Sequence, residues 1–442
     1  MATVPSSDHV AVLAAAPPEL PPLRVSAALL ALALMPFPLV VRGWGNPKLA
    51  YDYLTIVFPV DIAFAALLVT GARPFIERLR TRRAGIGTVV WAALAVVMSM
   101  AWLAHPSARG GHTVFELWAV AVLADTVAET VERRGGTLMV AAFGGIAIVE
   151  TLWSGAQLVS GGALGLSALG EDAHPLLRFS HQTQAPMGSM VHPYVLAGLA
   201  LVGSGLLAWQ GLSSRRPLVW FAGAAVAIAP VGFTFSRAGA AGALLLIGGF
   251  AVAGRRLACR RVAAGAAVAL ALGVAVPAAV WSAGWHLRAS DTTSASSAAS
   301  LTTDRATLVH QSFSLLRREP VTGVGPGRYV PALTTADHFR LGSLVKPVHN
   351  LPLLIGAEGG AVALALAVLL FAAVGWRALR AGAVATAIYL AYIPFSMLDH
   401  FPYTFPQGLV ITAVWLGVLD ALSTRPRRER ARERQAVLVA DR

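Results

Sequence analysis

Charge is what this sequence has least of. Of its 442 residues only 13% are charged and 56% are hydrophobic, where a soluble domain carries about 25% charged residues. So few charges cannot cover a water-facing surface of this size, which excludes a soluble enzyme. The same apolar excess excludes a disordered chain. Cysteine is nearly absent. The single Cys259, in GRRLACRR, allows no intrachain disulfide and no CxxC metal site; it reads as an inert residue at a cytosolic helix end. Lysine is scarce as well, with 33 of the 35 basic residues being Arg. The net charge of +13 does not describe a nucleic-acid surface, because the arginines fall in short clusters between apolar runs. No nucleic-acid partner is expected, whereas contact with membrane lipids is.

What is present is a succession of long apolar runs. A transmembrane helix needs ~20 mostly apolar residues, and twelve runs qualify, near 24–42, 53–71, 85–104, 113–130, 137–159, 190–210, 217–234, 237–253, 262–283, 350–375, 382–398 and 405–422. The stretch around 217–253 is too long for one span and breaks at Phe233-Thr234-Phe235-Ser236-Arg237, read as a tight turn at the membrane face. The predicted fold class is therefore an all-α membrane protein of about 12 transmembrane helices. Residues 1–23 are expected as a flexible cytoplasmic tail and not as a removed signal peptide, 24–422 as the membrane domain, and 423–442 as a basic cytoplasmic tail. With the N-terminus inside, 23 of the 35 positive charges lie in short segments on one side. By the positive-inside rule both termini face the cytoplasm.

Two segments between spans are long, about 160–189 and 284–349. Segments of that length are functional or disordered. The second is a large extracytoplasmic loop. It opens on the Ser/Thr/Ala-rich SDTTSASSAASLTTD, expected to be flexible, and continues with RATLVHQSFSLLRREP, an amphipathic helix ended by Pro320. Arg305 is placed at the start of that helix, with Asp304, Thr302 or Thr303 as N-cap. The GVGPG run at 323–327 is a turn and not a nucleotide loop, since no strand precedes it and no Lys-Ser/Thr ends it. Arg328 follows the turn.

Arg237 closes one apolar run and opens the next. It is either an arginine snorkelling at a helix end or an anion clamp, because guanidinium presents a planar fork of donors that matches phosphate oxygens. His349-Asn350 stands where the large loop re-enters the membrane. His349 is either an interfacial polar residue or a proton acceptor for a sugar hydroxyl. Glu358, about two turns further on, is either a buried orienting group or a helix-packing residue.

Their order and spacing carry more than any one of them. FTFSRAGAAGALLLIG, then DRATLVHQSFSLLRREPVTGVGPGRYV, then VHNLPLLIGAEGGAVALAL resembles the O-antigen ligase and polymerase superfamily. The shared features are a Ser-Arg before a transmembrane helix, an Arg opening a loop helix, a Pro-x-x-Gly-x-Gly turn and a His-Asn leading into a helix with Glu-x-Gly. MVHPYVLAGLAL, with Tyr194 in place of the family's Asn, and MLDHFPYTFPQGLVI extend the likeness over roughly 140–422. The resemblance implies a GT-C-like polytopic bundle in the inner membrane with its site facing the periplasm or exterior. It implies transfer of a glycan from an undecaprenyl-pyrophosphate carrier to an acceptor hydroxyl, with no cofactor and no metal. Arg237 and Arg305 would bind the pyrophosphate and His349 would be catalytic. Arg328, Asn350, Glu358, His192, Asp399 and His400 would support them. The acceptor is a glycan, a lipid A core or a protein, and the shared motifs do not separate ligase from polymerase from protein glycosyltransferase. A twelve-helix transporter is the competing reading, kept open by the in-span acids Asp61, Glu116, Asp125 and Glu150.

Overall fold

The computed structural model describes residues 23–37, 42–44, 55–134, 136–178, 184–256, 260–293, 295–335 and 346–440. The expected N-terminal tail lies outside the described residues, apart from Leu23. Helices run in the order α1 (Leu23–Leu34), α2 (Pro59–Arg80), α3 (Ile86–Ala104), α4 (Ala108–Arg134), α5 (Thr137–Ser160), α6 (Pro193–Leu212), α7 (Pro217–Ile228), α8 (Pro230–Phe233), α9 (Arg237–Arg256), α10 (Arg260–Val280), α11 (Ser282–Thr293), α12 (Ala295–Arg318), α13 (Tyr329–Thr335), α14 (Leu351–Ala381), α15 (Ala383–Leu398), α16 (Phe401–Thr404) and α17 (Pro406–Ala440). Two short antiparallel hairpins, Arg42–Trp44 with Thr55–Val57 and Leu176–Arg178 with Gln184–Pro186, are the only strands among the described residues. The protein is an all-α polytopic membrane protein.

Among the described residues eight helices are long and apolar enough to cross a membrane, and three apolar segments are shorter. With α4, whose buried acids lower its hydropathy, each of the twelve expected spans coincides with a helical segment. The first two are displaced. α1 stops at Leu34 because Pro36 follows, and α2 begins only at Pro59 and carries Arg73, Arg78 and Arg80 within it. Arg78 consequently pairs with Asp125 of α4 at 2.8 Å, and Arg24 with Glu129. Asp420 of α17 takes the backbone N–H groups of Gly87 and Thr88 and so caps α3.

The Ser/Thr/Ala-rich stretch corrects an expectation. Its described residues are helical, in α11 and α12, and no Gly or Pro interrupts residues 285–319. Arg305 therefore sits within α12 and not at its start, and no N-cap at 302–304 exists.

α6 and α17 form the centre of the bundle, with 89% of their apolar windows buried, while α10 is peripheral at 22%. α9 and α15 approach closely because Gly242 and Gly249 lie directly against Ala391 and Ala387. That contact sets the first residue of α9 beside the end of α15, where the site is built.

α14 is broken at Gly360, whose φ of 82° and ψ of −175° are open essentially to glycine alone. The break frees two helix carbonyls and one helix N–H that the 320–327 turn then uses. Val324 N–H donates to Ala357 at 3.0 Å, Gly325 N–H to Glu358 at 2.9 Å, and Ala361 N–H to Pro320 at 2.8 Å. A Cβ at 360 would collide with the Val321 carbonyl. Gly360→Ala is therefore expected to destabilise the fold by at least about 1–3 kcal/mol from the backbone conformation alone, measurable as a lowered unfolding midpoint in detergent.

Candidate functional site

The turn between α8 and α9 is unusual in its backbone. Phe235 adopts φ +52°, a costly conformation for a bulky residue, and is held there by edge-on packing against Trp285 at 5.7 Å. The Ser236 hydroxyl accepts the Gly239 N–H at 3.0 Å and caps α9. Arg237 is thus the first residue of a 20-residue helix and exposed, where the helix dipole also favours an anion.

A cavity of about 210 Å³ opens at this point, lined by Tyr194, Ser236, Arg237, Ala238, Arg305, Leu398 and Asp399. Two arginines 68 positions apart in the chain, one from α9 and one from α12, therefore share one small space with a carboxylate. A larger cavity, about 500 Å³, lies elsewhere, between the Gly161-Gly162 turn and the Leu176–Gln184 hairpin. Among the described residues that line it, His174 is the one ionisable side chain.

His349 stands beside the smaller cavity. Its Nδ1 is 3.8 Å from Asp399 Oδ1, and its ring centroid is 5.1 Å from that of His400. Asp399 lies just beyond α15, where Oδ1 accepts the His400 N–H at 2.7 Å. Burial works to raise the Asp399 carboxyl, but the facing His349 imidazole, together with the charges of His400 and His192, outweighs it and holds the group below its ordinary value. Asp399 is thus a carboxylate at neutral pH. His400 Nδ1 lies 2.8 Å from the Thr404 hydroxyl. Ligand-type atoms of His349, Asp399 and His400 come within 4.8 Å of one another, a spacing at which the three can also hold a divalent cation.

Not every predicted residue faces this space. Asn350 is scaffold: its Oδ1 accepts the Leu353 N–H at 3.0 Å as N-cap of α14, and its amide reaches the Met397 carbonyl at 3.3 Å. That cap fixes the backbone immediately after His349. His192 is likewise an N-cap, its Nδ1 accepting the Tyr194 N–H at 3.1 Å, with its ring edge-on to Tyr194 at 4.7 Å. Glu358 is buried and turned towards the loop. It accepts the Gly327 N–H at 2.9 Å, the Tyr329 N–H at 3.2 Å and the Tyr403 hydroxyl at 2.8 Å. Arg328 is half-buried and does not line the cavity. Tyr194 and Ser236 line the cavity, although neither was named as a candidate site residue. Both had a sequence signal, Ser236 in the Ser-Arg pair before a helix and Tyr194 in the place of the family's Asn.

Residues 222–368 match the family model described as O-antigen ligase. Over that third of the chain the protein is similar to the O-antigen ligase family. The match takes in Arg237, Arg305, His349 and Glu358, but not His192, Asp399 or His400. Among curated proteins none matches the chain. At family level the match supports a membrane glycosyltransferase of the ligase and polymerase type, with glycans and lipid-linked substrates in general.

Proposed function

We propose that the protein transfers a glycan from an undecaprenyl-pyrophosphate carrier to an acceptor hydroxyl at the outer face of the cytoplasmic membrane. The observation that carries this reading is the shared cavity of Arg237 and Arg305, with the Asp399–His349 pair at its edge. The acceptor oxygen attacks the anomeric carbon, and the bond from that carbon to the pyrophosphate oxygen breaks. The acceptor's proton passes to His349, and the carrier leaves as its pyrophosphate. Pyrophosphate is already a good leaving group. Two guanidinium forks and the α9 N-terminus supply positive charge where negative charge develops, so no metal is needed. Asp399, ionised, orients the His349 ring and stabilises it once protonated.

The arginine clusters at the opposite end of the helices support a cytoplasmic position for both termini and an outward-facing site. The acids that favoured a transporter have local partners instead: Asp125 has Arg78, and Glu150 has the Ser189 hydroxyl at 2.7 Å. The polymerase and protein-glycosyltransferase readings differ from the ligase reading only in the acceptor.

The test is transfer in nanodiscs with the carrier-linked glycan and, in turn, a lipid A core, a second carrier-linked glycan and an acceptor protein, each with EDTA. Transfer that survives EDTA with one acceptor is expected and names the subtype. Loss of transfer in EDTA, restored by a divalent cation, would instead make His349, Asp399 and His400 metal ligands. No release of carrier pyrophosphate with any acceptor would overturn the reading.

A further inference from the structure

We propose that Arg109 is a positioning residue for this reaction: through Thr404 it holds the 400–404 turn, and with it His400 and His349, in register. The proposal rests on the glycosyltransferase reading above. Arg109 is the second residue of α4 and is half-buried. Its Nη2 donates to the Thr404 carbonyl at 3.2 Å, a link across 295 positions of sequence. The Thr404 hydroxyl faces His400 Nδ1 at 2.8 Å, and the His400 ring lies against His349 at 5.1 Å. Every step from the guanidinium to the imidazole that takes the proton is a direct contact.

The other side of Arg109 fixes the loop. Its stem occupies the space that a side chain at 327 would need, and Gly327 has φ +66°. Gly327 N–H is also bound by Glu358, as is the Tyr403 hydroxyl. Arg109 and Glu358 therefore clamp the same two segments, the 323–327 turn and the 400–404 turn, from different helices.

Behind Arg109 sits a buried charge group. His112 Nδ1 is 3.4 Å from Arg109 Nη1 and 3.6 Å from Glu116 Oε2, and His112 Nε2 is 3.3 Å from Asp61 Oδ2. Ligand-type atoms of Asp61, His112 and Glu116 fall within 4.8 Å of one another. The imidazole nevertheless lies between the carboxylates with one nitrogen towards each and a guanidinium against Nδ1. That is the arrangement of a charge bridge; a coordinated ion requires one nitrogen and both carboxylates to converge on a point. Buried carboxylates are costly without facing cations, so Asp61 and Glu116 keep His112 and Arg109 where they are.

The experiment uses the full chain in nanodiscs, with wild type and His349→Ala alongside. Arg109→Met keeps the stem and removes the fork. It is expected to lower kcat about 10- to 100-fold, the scale of a small misplacement of a catalytic group, to leave the KM for the lipid-linked donor unchanged, and to shift the pH profile of kcat. Arg109→Lys should recover part of the loss. Should Arg109→Met not fold, Thr404→Val carries the test, since it removes the hydroxyl facing His400 and must reproduce the pH shift. An unchanged pH profile and kcat per folded molecule, with only a lower unfolding temperature, would reduce Arg109 to scaffold and overturn the proposal. A raised donor KM at constant kcat would make it an anion-binding residue and overturn it as well. If wild type transfers to no acceptor, the glycosyltransferase reading falls and this proposal with it; if wild type is active, His349→Ala is not and Arg109→Met is normal, only this proposal falls.

Discussion

His349→Ala is expected to insert and fold normally and to lose about 10²–10⁴-fold in transfer rate, the usual contribution of a positioned acid–base group. Folding is expected to survive because His349 is half-buried and the backbone beside it is fixed by the Asn350 cap rather than by the imidazole. The loss should appear in kcat with little change in donor KM, since in the proposed reaction the pyrophosphate would be held by arginines on other helices. Asp399→Asn provides the control for mechanism. It leaves the shape but removes the negative charge opposite His349 Nδ1, so it should reduce kcat without abolishing it. Normal turnover in His349→Ala, measured by release of carrier pyrophosphate, would remove proton transfer from this site altogether.

The fold was legible in the sequence wherever hydropathy alone decides it. Runs of apolar residues broken by arginine clusters located nearly every helix, because a spanning helix must satisfy its backbone internally and present apolar side chains outward. It was less legible where a local breaker competes with a run. Pro36 ends α1 well before the apolar stretch does, and α2 starts correspondingly late. The Ser/Thr/Ala-rich stretch misled in the other direction. Its composition suggests a flexible segment, yet it lacks any Gly or Pro and belongs to α11 and α12.

At the site, Arg237, Arg305 and His349 could be picked out as types of chemistry, and Asp399 and His400 as companions. Asn350 and Glu358 could be noticed as supporting residues but not given partners, because those lie on distant segments: Met397 for one, Gly327 and Tyr403 for the other. Arg109 carried no signal at all. In HPSARGGHTV it is one more arginine at a helix start, and only the approach of Thr404, far along the chain, distinguishes it.

Arg237→Ala and Arg305→Ala are each expected to slow transfer by about 10²–10³-fold, as removal of one preorganised donor to a developing charge does, equivalent to about 2.7–4 kcal/mol. Arg237→Lys should recover only part of that loss. Lys keeps the charge at the start of α9 but offers a single rotating ammonium in place of a planar fork, and a bidentate phosphate contact is not reproduced. The informative variant is the double one. If both arginines grip the same leaving pyrophosphate in the cavity they share, removing the second when the first is gone should cost clearly less than it does in the wild type, because residues acting on one group are not additive. Independent effects that multiply in the double variant, measured as kcat/KM for the carrier-linked donor, would mean that the two side chains act on separate groups. The common cavity would then be a coincidence of packing, and the electrostatic account of the leaving group would have to rest on Arg237 and the α9 N-terminus alone.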